Sequence, residues 1–188
     1  GSMAVGHTRY STTGSSHHRN SQPLTVDCSK GQIAIAHNGN LTNAAQLRDE
    51  LELNGSIFQT TVDSEIILHL MARPSGNGDS NLVQSLQRIK GAYSLVIMTE
   101  NELIGVRDPH GFRPLSIGKL DGAYVLSSET CAFDLIQAEF IRDVEPGEIV
   151  IINADGIKSI NAFPMQQRKA FCIFEYVYFS RPDSIITD

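Results

Sequence analysis

From Ala92 onward the sequence breaks into short apolar runs separated by turn signals, and this pattern constrains the fold most. Residues 93–99, 102–108, 115–119 and 123–127 are strand-length. Asn101, Pro109 to Gly111, and Asp121-Gly122 punctuate them, which predicts an antiparallel meander. A short helix over 132–137 precedes a last hairpin, 148–153 with 156–160, turned by Ala154-Asp155-Gly156. The earlier part of the chain differs. Residues 32–37 read as a buried strand ended by Asn38-Gly39, a dipeptide that readily takes positive φ. Leu41, Ala44, Ala45, Leu47 and Leu51 then recur at helical spacing, with Asn40 or Thr42 as the cap and Gly55 as the stop. A second helix begins near Asp63 and carries Ile66, Ile67 and Leu70 on one face. A third covers 81–89 and is stopped by Gly91. Helices grouped early and strands grouped late predict an α+β domain, its helices on the outer faces of antiparallel sheets.

Charge and cysteine content narrow the function classes. The formal net charge is −6 and the basic residues are scattered, so no basic patch for nucleic acid is present. The longest apolar stretches are strand-sized, too short to span a bilayer, and no secretory apolar segment follows the start. Cys28, Cys131 and Cys172 are odd in number and irregularly spaced. They argue against a disulfide framework and for a reducing, cytoplasmic setting. Gly1-Ser2-Met3 has the character of a tag-removal scar, and Arg181 to Asp188 stops without a terminating pattern. The chain reads as a piece of a longer protein.

Three places carry candidate chemistry. Arg9 lies in a glycine-bounded loop with Ser11, Thr12 and Thr13. A guanidinium forks onto a carboxylate and nearby hydroxyls complete the grip, although a surface arginine in a polar turn has the same composition. Asn38-Gly39 offers a side-chain amide and a closely approachable backbone N–H for a developing oxyanion; alternatively it is a simple turn. Asp63 is either an acceptor for an ammonium group or an ordinary helix N-cap. Together, a carboxylate clamp, an ammonium acceptor and an oxyanion hole are what an α-amino acid with a reactive side-chain amide requires. The tandem His17-His18 reads as a solvated pair.

These segments carry a resemblance. Gly6-His7-Thr8-Arg9-Tyr10-Ser11-Thr12-Thr13-Gly14, His37-Asn38-Gly39-Asn40-Leu41 and Thr61-Val62-Asp63-Ser64-Glu65 are similar, in order and spacing, to class II (N-terminal nucleophile) glutamine amidotransferases. Within that family the pattern resembles the amidophosphoribosyltransferase branch. Arg107-Asp108-Pro109-His110-Gly111-Phe112-Arg113-Pro114-Leu115, Ser127-Ser128-Glu129-Thr130-Cys131-Ala132 and Val144-Glu145-Pro146-Gly147-Glu148 also match. So does Phe174-Glu175-Tyr176-Val177-Tyr178-Phe179-Ser180-Arg181-Pro182-Asp183-Ser184, so the likeness runs almost end to end.

The resemblance implies a four-layer αββα glutaminase fold, here expected to be truncated at its N-terminus. Residues 1–165 would form the glutaminase domain without its first strands, and 166–188 a linker toward a phosphoribosyltransferase domain outside the chain. It implies that Arg9 binds the glutamine carboxylate with Thr12 and Thr13 beside it. Asn38 and Gly39 would form the oxyanion hole and Asp63 would hold the α-ammonium. In the family, the released ammonia displaces pyrophosphate from phosphoribosylpyrophosphate, with Mg²⁺, giving phosphoribosylamine for purine synthesis; the parent proteins are expected to be homo-oligomers. The family's nucleophile is an N-terminal Cys whose own α-amine is the base. Cys28, Cys131 and Cys172 are internal, so the chain is expected to be inactive and, by itself, to hold no cofactor. Cys172 matches a [4Fe–4S] ligand position of the iron–sulfur branch in the full protein; otherwise it is a buried thiol beside Phe171 and Phe174. Two other readings compete. One is a non-catalytic glutamine- or glutamate-binding or regulatory module of the same fold. The other is the glutaminase domain of a sugar-aminating amidotransferase, disfavoured by Tyr10, Ser11 and Thr13.

Overall fold

The computed structural model describes residues 1–9, 17–74, 81–161, 163 and 169–186. Its elements in chain order are β1 (Leu24–Cys28), β2 (Gly31–Leu41), α1 (Ala44–Leu53), α2 (Ser64–Ala72), α3 (Asn81–Arg88), β3 (Gly91–Met98) and β4 (Leu103–Arg107). There follow β5 (Ser116–Leu120), β6 (Ala123–Ser127), α4 (Cys131–Ile136), β7 (Glu139–Asp143), β8 (Glu148–Asn153) and β9 (Gly156–Asn161). The strands make two antiparallel sheets, one of six in the order β1-β2-β3-β4-β8-β9 and one of three in the order β6-β5-β7.

The alternation of side chains along each strand builds the layers. Leu95 and Ile97 of β3, Ile33 and Ile35 of β2, and Ile149 of β8 pack with Leu51, Ile66, Ile67 and Leu86 of α1 to α3. The intervening residues point the other way. Val96 and Val150 join Leu115, Ile117 and Leu126 between the two sheets. Gly105 belongs to the same inner face, where an added Cβ would meet the side chains of Leu126 and Leu115. On the far side of the small sheet, the Phe133 ring of α4 lies against the backbone of Gly118. The order is helices, sheet, sheet, helix: the expected α+β, four-layer αββα arrangement.

The structure departs from the sequence reading at five points. The strand expected to end at His37 continues to Leu41, because Ala92 and Gly91 provide ladder partners for Asn40 and Leu41. Asn38-Gly39 is therefore not a turn. Since Asn40 is drawn into that ladder, the residue before α1 is Asn43, whose side chain makes no capping bond. It ties α1 to the end of α3 instead, donating to Arg88 O and accepting from Lys90 N, both at 2.9 Å. Likewise, Gly91 does not stop a helix but opens β3. The expected meander splits after β4: β5 and β6 pair in the second sheet. Finally, β1 and β7 were not foreseen. Both are five-residue edge strands, and in β7 three charged residues dilute the apolar alternation that reveals interior strands.

The segment after residue 168 docks on the body. Residues Glu175–Phe179 form one π-type turn. Buried Glu175 pairs with Arg113 at 2.7 Å, and the Arg113 guanidinium stacks 4.5 Å above the Phe179 ring. Further on, Ile185 N donates to Thr130 Oγ1 at 2.7 Å, and Ser184 Oγ to Glu129 Oε2 at 2.8 Å. Cys28, Cys131 and Cys172 are unpaired. Among the described residues no helix is long and apolar enough to cross a membrane.

Candidate functional site

A cleft of about 520 Å³ opens beside the C-terminal end of β2, and Arg9, Asn38, Gly39 and Asp63 all line it. Three separate segments therefore converge where the sequence suggested one chemistry. Thr12 and Thr13 lie outside the described residues.

The β2 strand sets the geometry by its two-residue period. His37 shares the parity of Ile33 and Ile35 and points toward α2; Asn38 points to the opposite face, where its Nδ2 lies 3.5 Å from Ser128 Oγ. Gly39 takes φ of +143°, and an added Cβ would collide with the carbonyl oxygen of Ala92. Glycine is needed here for close approach of two strands. Opposite Gly39, Tyr93 directs both its N–H and its C=O toward Asp108 on the β4 side. In an antiparallel ladder that makes Gly39–Tyr93 a non-hydrogen-bonded pair. Gly39 consequently turns its N–H away from β3, to the same edge where the His37 N–H donates to Gln22 Oε1 at 2.6 Å. Gln22 also lines the cleft.

Asp63 is the residue before α2 but does not cap it with its side chain. The carboxylate reaches back to β2. Its Oδ2 accepts from Leu41 N at 2.8 Å, and Oδ1 lies 3.3 Å from His37 Nδ1. Burial pushes this carboxyl up, but the His37 hydrogen bond and field and the Leu41 N–H outweigh it and hold it below the usual range. On the other wall, burial, then the fields of His37 and Arg9, push His7 down. Arg9 sits beside His7 at the mouth. The cleft thus presents a cation, an ionised carboxylate and outward-turned amide donors.

Sequence reasoning missed His37, Ser64 and Ser128. Ser64 Oγ lies 3.2 Å from His37 Nδ1. The parity of His37 with Ile33 and Ile35, within the strand already read over 32–37, is the signal that could have found it. Cys172 is half-buried, with its carbonyl accepting from Glu175 N at 2.9 Å. The chain's three cysteines fall short of the four thiolates that an iron–sulfur cluster takes, so these residues alone do not fit one. Among the described residues no group of three or more His, Cys, Asp or Glu is placed to hold a metal ion.

Comparison with known proteins bears on the family and the fold. Residues 7–134 match the glutamine amidotransferase domain family. The chain is 51% identical over 189 residues to the amidophosphoribosyltransferase of Bacillus subtilis (strain 168), covering 99% of this chain and 39% of that protein. The solved B. subtilis glutamine phosphoribosylpyrophosphate amidotransferase, complexed with ADP and GMP, superposes with a TM-score of 0.88 and 49% identity, over 96% of this chain and 39% of that one. A structure described as the allosteric regulatory enzyme of purine biosynthesis gives 0.90 and 50%, with the same coverage. The chain therefore spans about two-fifths of the length of these relatives. Through its matched residues and its fold, the chain belongs to the glutamine amidotransferase domain family.

Proposed function

We propose that this chain is the glutaminase portion of an amidophosphoribosyltransferase, and that its cleft binds glutamine and the product glutamate. The observation that carries the reading is the convergence of Arg9, Asp63 and Asn38-Gly39 on one cleft. Arg9 takes the α-carboxylate, with Thr12 and Thr13 beside it, as a fork on a planar anion. Asp63, held ionised, takes the α-ammonium. The Asn38 amide and the Gly39 N–H stabilise the oxyanion that forms as the side-chain amide is attacked. The attacking group is a thiol whose own α-amine removes its proton. Cys28, Cys131 and Cys172 are internal residues with acylated nitrogens, so none of them is this nucleophile.

In the whole protein, residues 1–165 form the glutaminase domain and 166–188 lead to a phosphoribosyltransferase domain. There the ammonia displaces pyrophosphate from phosphoribosylpyrophosphate, with Mg²⁺, to make phosphoribosylamine. Cys172 contributes one thiolate to a cluster completed by that domain in iron–sulfur members of the family. The assembly is a homo-oligomer in the cytoplasm; the three unpaired cysteines support only the reducing compartment.

Calorimetric titration with glutamine and with glutamate tests the cleft. The chain binds both weakly, and Arg9→Ala abolishes binding. Equal affinity in Arg9→Ala removes Arg9 as the anchor, and no binding by the unaltered chain removes the reading.

A further inference from the structure

Strand β2 carries the two oxyanion donors between two grips on one carboxylate. Leu41 holds Asp63 Oδ2 through its backbone N–H, and His37 meets Oδ1 through its ring. Asn38 and Gly39 lie between these two positions on the same strand. The ring and the carboxylate are both enclosed, with side-chain exposures of 1% and 5%.

The placement of the ring proton follows from its surroundings. Nδ1 faces the Asp63 carboxylate and the Ser64 hydroxyl, whereas Nε2 is buried with no partner among the described residues. A proton on Nε2 alone would leave a buried donor with no acceptor and would turn the Nδ1 lone pair onto a carboxylate oxygen. A proton on Nδ1 satisfies Asp63 and leaves only a lone pair at Nε2. The ring therefore donates from Nδ1.

We infer that His37 is a positioning residue: its Nδ1–H aims the Asp63 carboxylate and keeps it ionised, in register with Asn38-Gly39. This inference rests on reading the cleft as a glutamine site. The other groups near the pair are Ser64 from α2 and His7 from the N-terminal segment, which feels the fields of His37 and Arg9. Glu65 is turned away, accepting from Gln59 N and Thr60 N at 2.8 Å each. Asp63 accepts from an ammonium only while ionised, so its protonation sets the acid limit of binding. Removing the Nδ1–H raises that limit.

Three substitutions separate positioning from bulk packing. His37→Asn places an amide N–H near the Nδ1 position, His37→Gln reaches toward the Nε2 position, and His37→Ala has neither. Two readouts are taken on each protein: the Asp63 carboxyl ¹³C shift against pH by NMR, and calorimetric titration with glutamine. His37→Ala is expected to raise the pH at which Asp63 protonates by about 1 and to weaken glutamine about tenfold, while His37→Asn stays near the unaltered protein. An unchanged Asp63 midpoint in folded His37→Ala overturns the inference. If His37→Ala does not fold, the other pair decides. His37→Asn near the unaltered protein with His37→Gln displaced supports the inference, and the reverse order overturns it. Should the unaltered chain bind no glutamine, the cleft reading fails, while the NMR titration still decides whether His37 sets the state of Asp63.

Discussion

Two buried aspartates of this molecule have opposite fates. Asp108, in the loop after β4, is fully enclosed and accepts from five backbone N–H groups. Those of His110, Gly111 and Phe112 lie at 2.9 Å, and those of Tyr93 and Arg113 at 3.3 and 3.5 Å. Asp63 has one backbone donor, one imidazole and a face on the cleft. Burial dominates at Asp108 and pushes its carboxyl up despite the amides; at Asp63 the His37 ring reverses burial and the carboxyl goes down. A saturated carboxylate is a fastener for its loop. One with acceptor capacity left toward solvent-filled space is available to a ligand. Burial of an acid therefore says little about function until its remaining lone pairs are followed.

The contrast is open to direct attack. Asp108→Ala orphans several buried N–H groups and is expected to cost about 3–5 kcal/mol in denaturant unfolding; a loss under about 1 would show that the amides find other partners. Next in size is Gly39→Ala, which forces a methyl onto the Ala92 carbonyl. It should destabilise by roughly 2–4 kcal/mol in the same assay. Asp63→Asn keeps the shape and removes the charge. Glutamine affinity should fall about a hundredfold, near 2.7 kcal/mol, in calorimetry, with unfolding free energy lowered by only about 1 at neutral pH.

The pH dependence sharpens the same pair. The depressed carboxyl of Asp63 contributes stability above its unfolded value near 3.9, lost as pH falls through the folded value. Asp63→Asn and the unaltered protein should thus converge on acidification. Asp108 is raised, so the unaltered protein is relieved by acid and its gap over Asp108→Asn widens. Parallel stability-against-pH curves would remove the distinction. The smallest effect belongs to Glu175→Gln, expected to cost about 1–2 kcal/mol and to speed proteolysis within 169–186, because Arg113 loses its buried partner.

Most of the fold could be read along the chain because apolar period and turn residues coincide. Ala123–Ser127 and Glu148–Asn153 are observed at the expected bounds, and α2 starts beside Asp63 as expected. What could not be read was partnership. Whether β5 follows β4 in one sheet depends on which face Val96 and Gly105 present to Leu115 and Leu126, a contact between segments distant in sequence. Asn38-Gly39 misled for a similar reason. The dipeptide makes a good turn in isolation, but here β3 lies close enough to extend the ladder. At the site, Arg9, Asp63 and Asn38-Gly39 were legible through residue type and order. The grip of His37 on Asp63 was hidden, because parity along the strand sets the side of the ring but not that Asp63 packs against it.

The close pairing of β2 and β3 limits how this cleft can change. Gly91 takes φ of +146°, and a Cβ there would strike the carbonyl of Asn40, just as one on Gly39 would strike that of Ala92. Each glycine is blocked by backbone of the facing strand, so neither position accepts a side chain. A lineage, or a library, that seeks a new ligand must leave this corner alone and vary the opposite wall, where Ser128 presents only a hydroxyl. The paired strands are the sterically fixed part of the site; the loop facing them is where variation can begin.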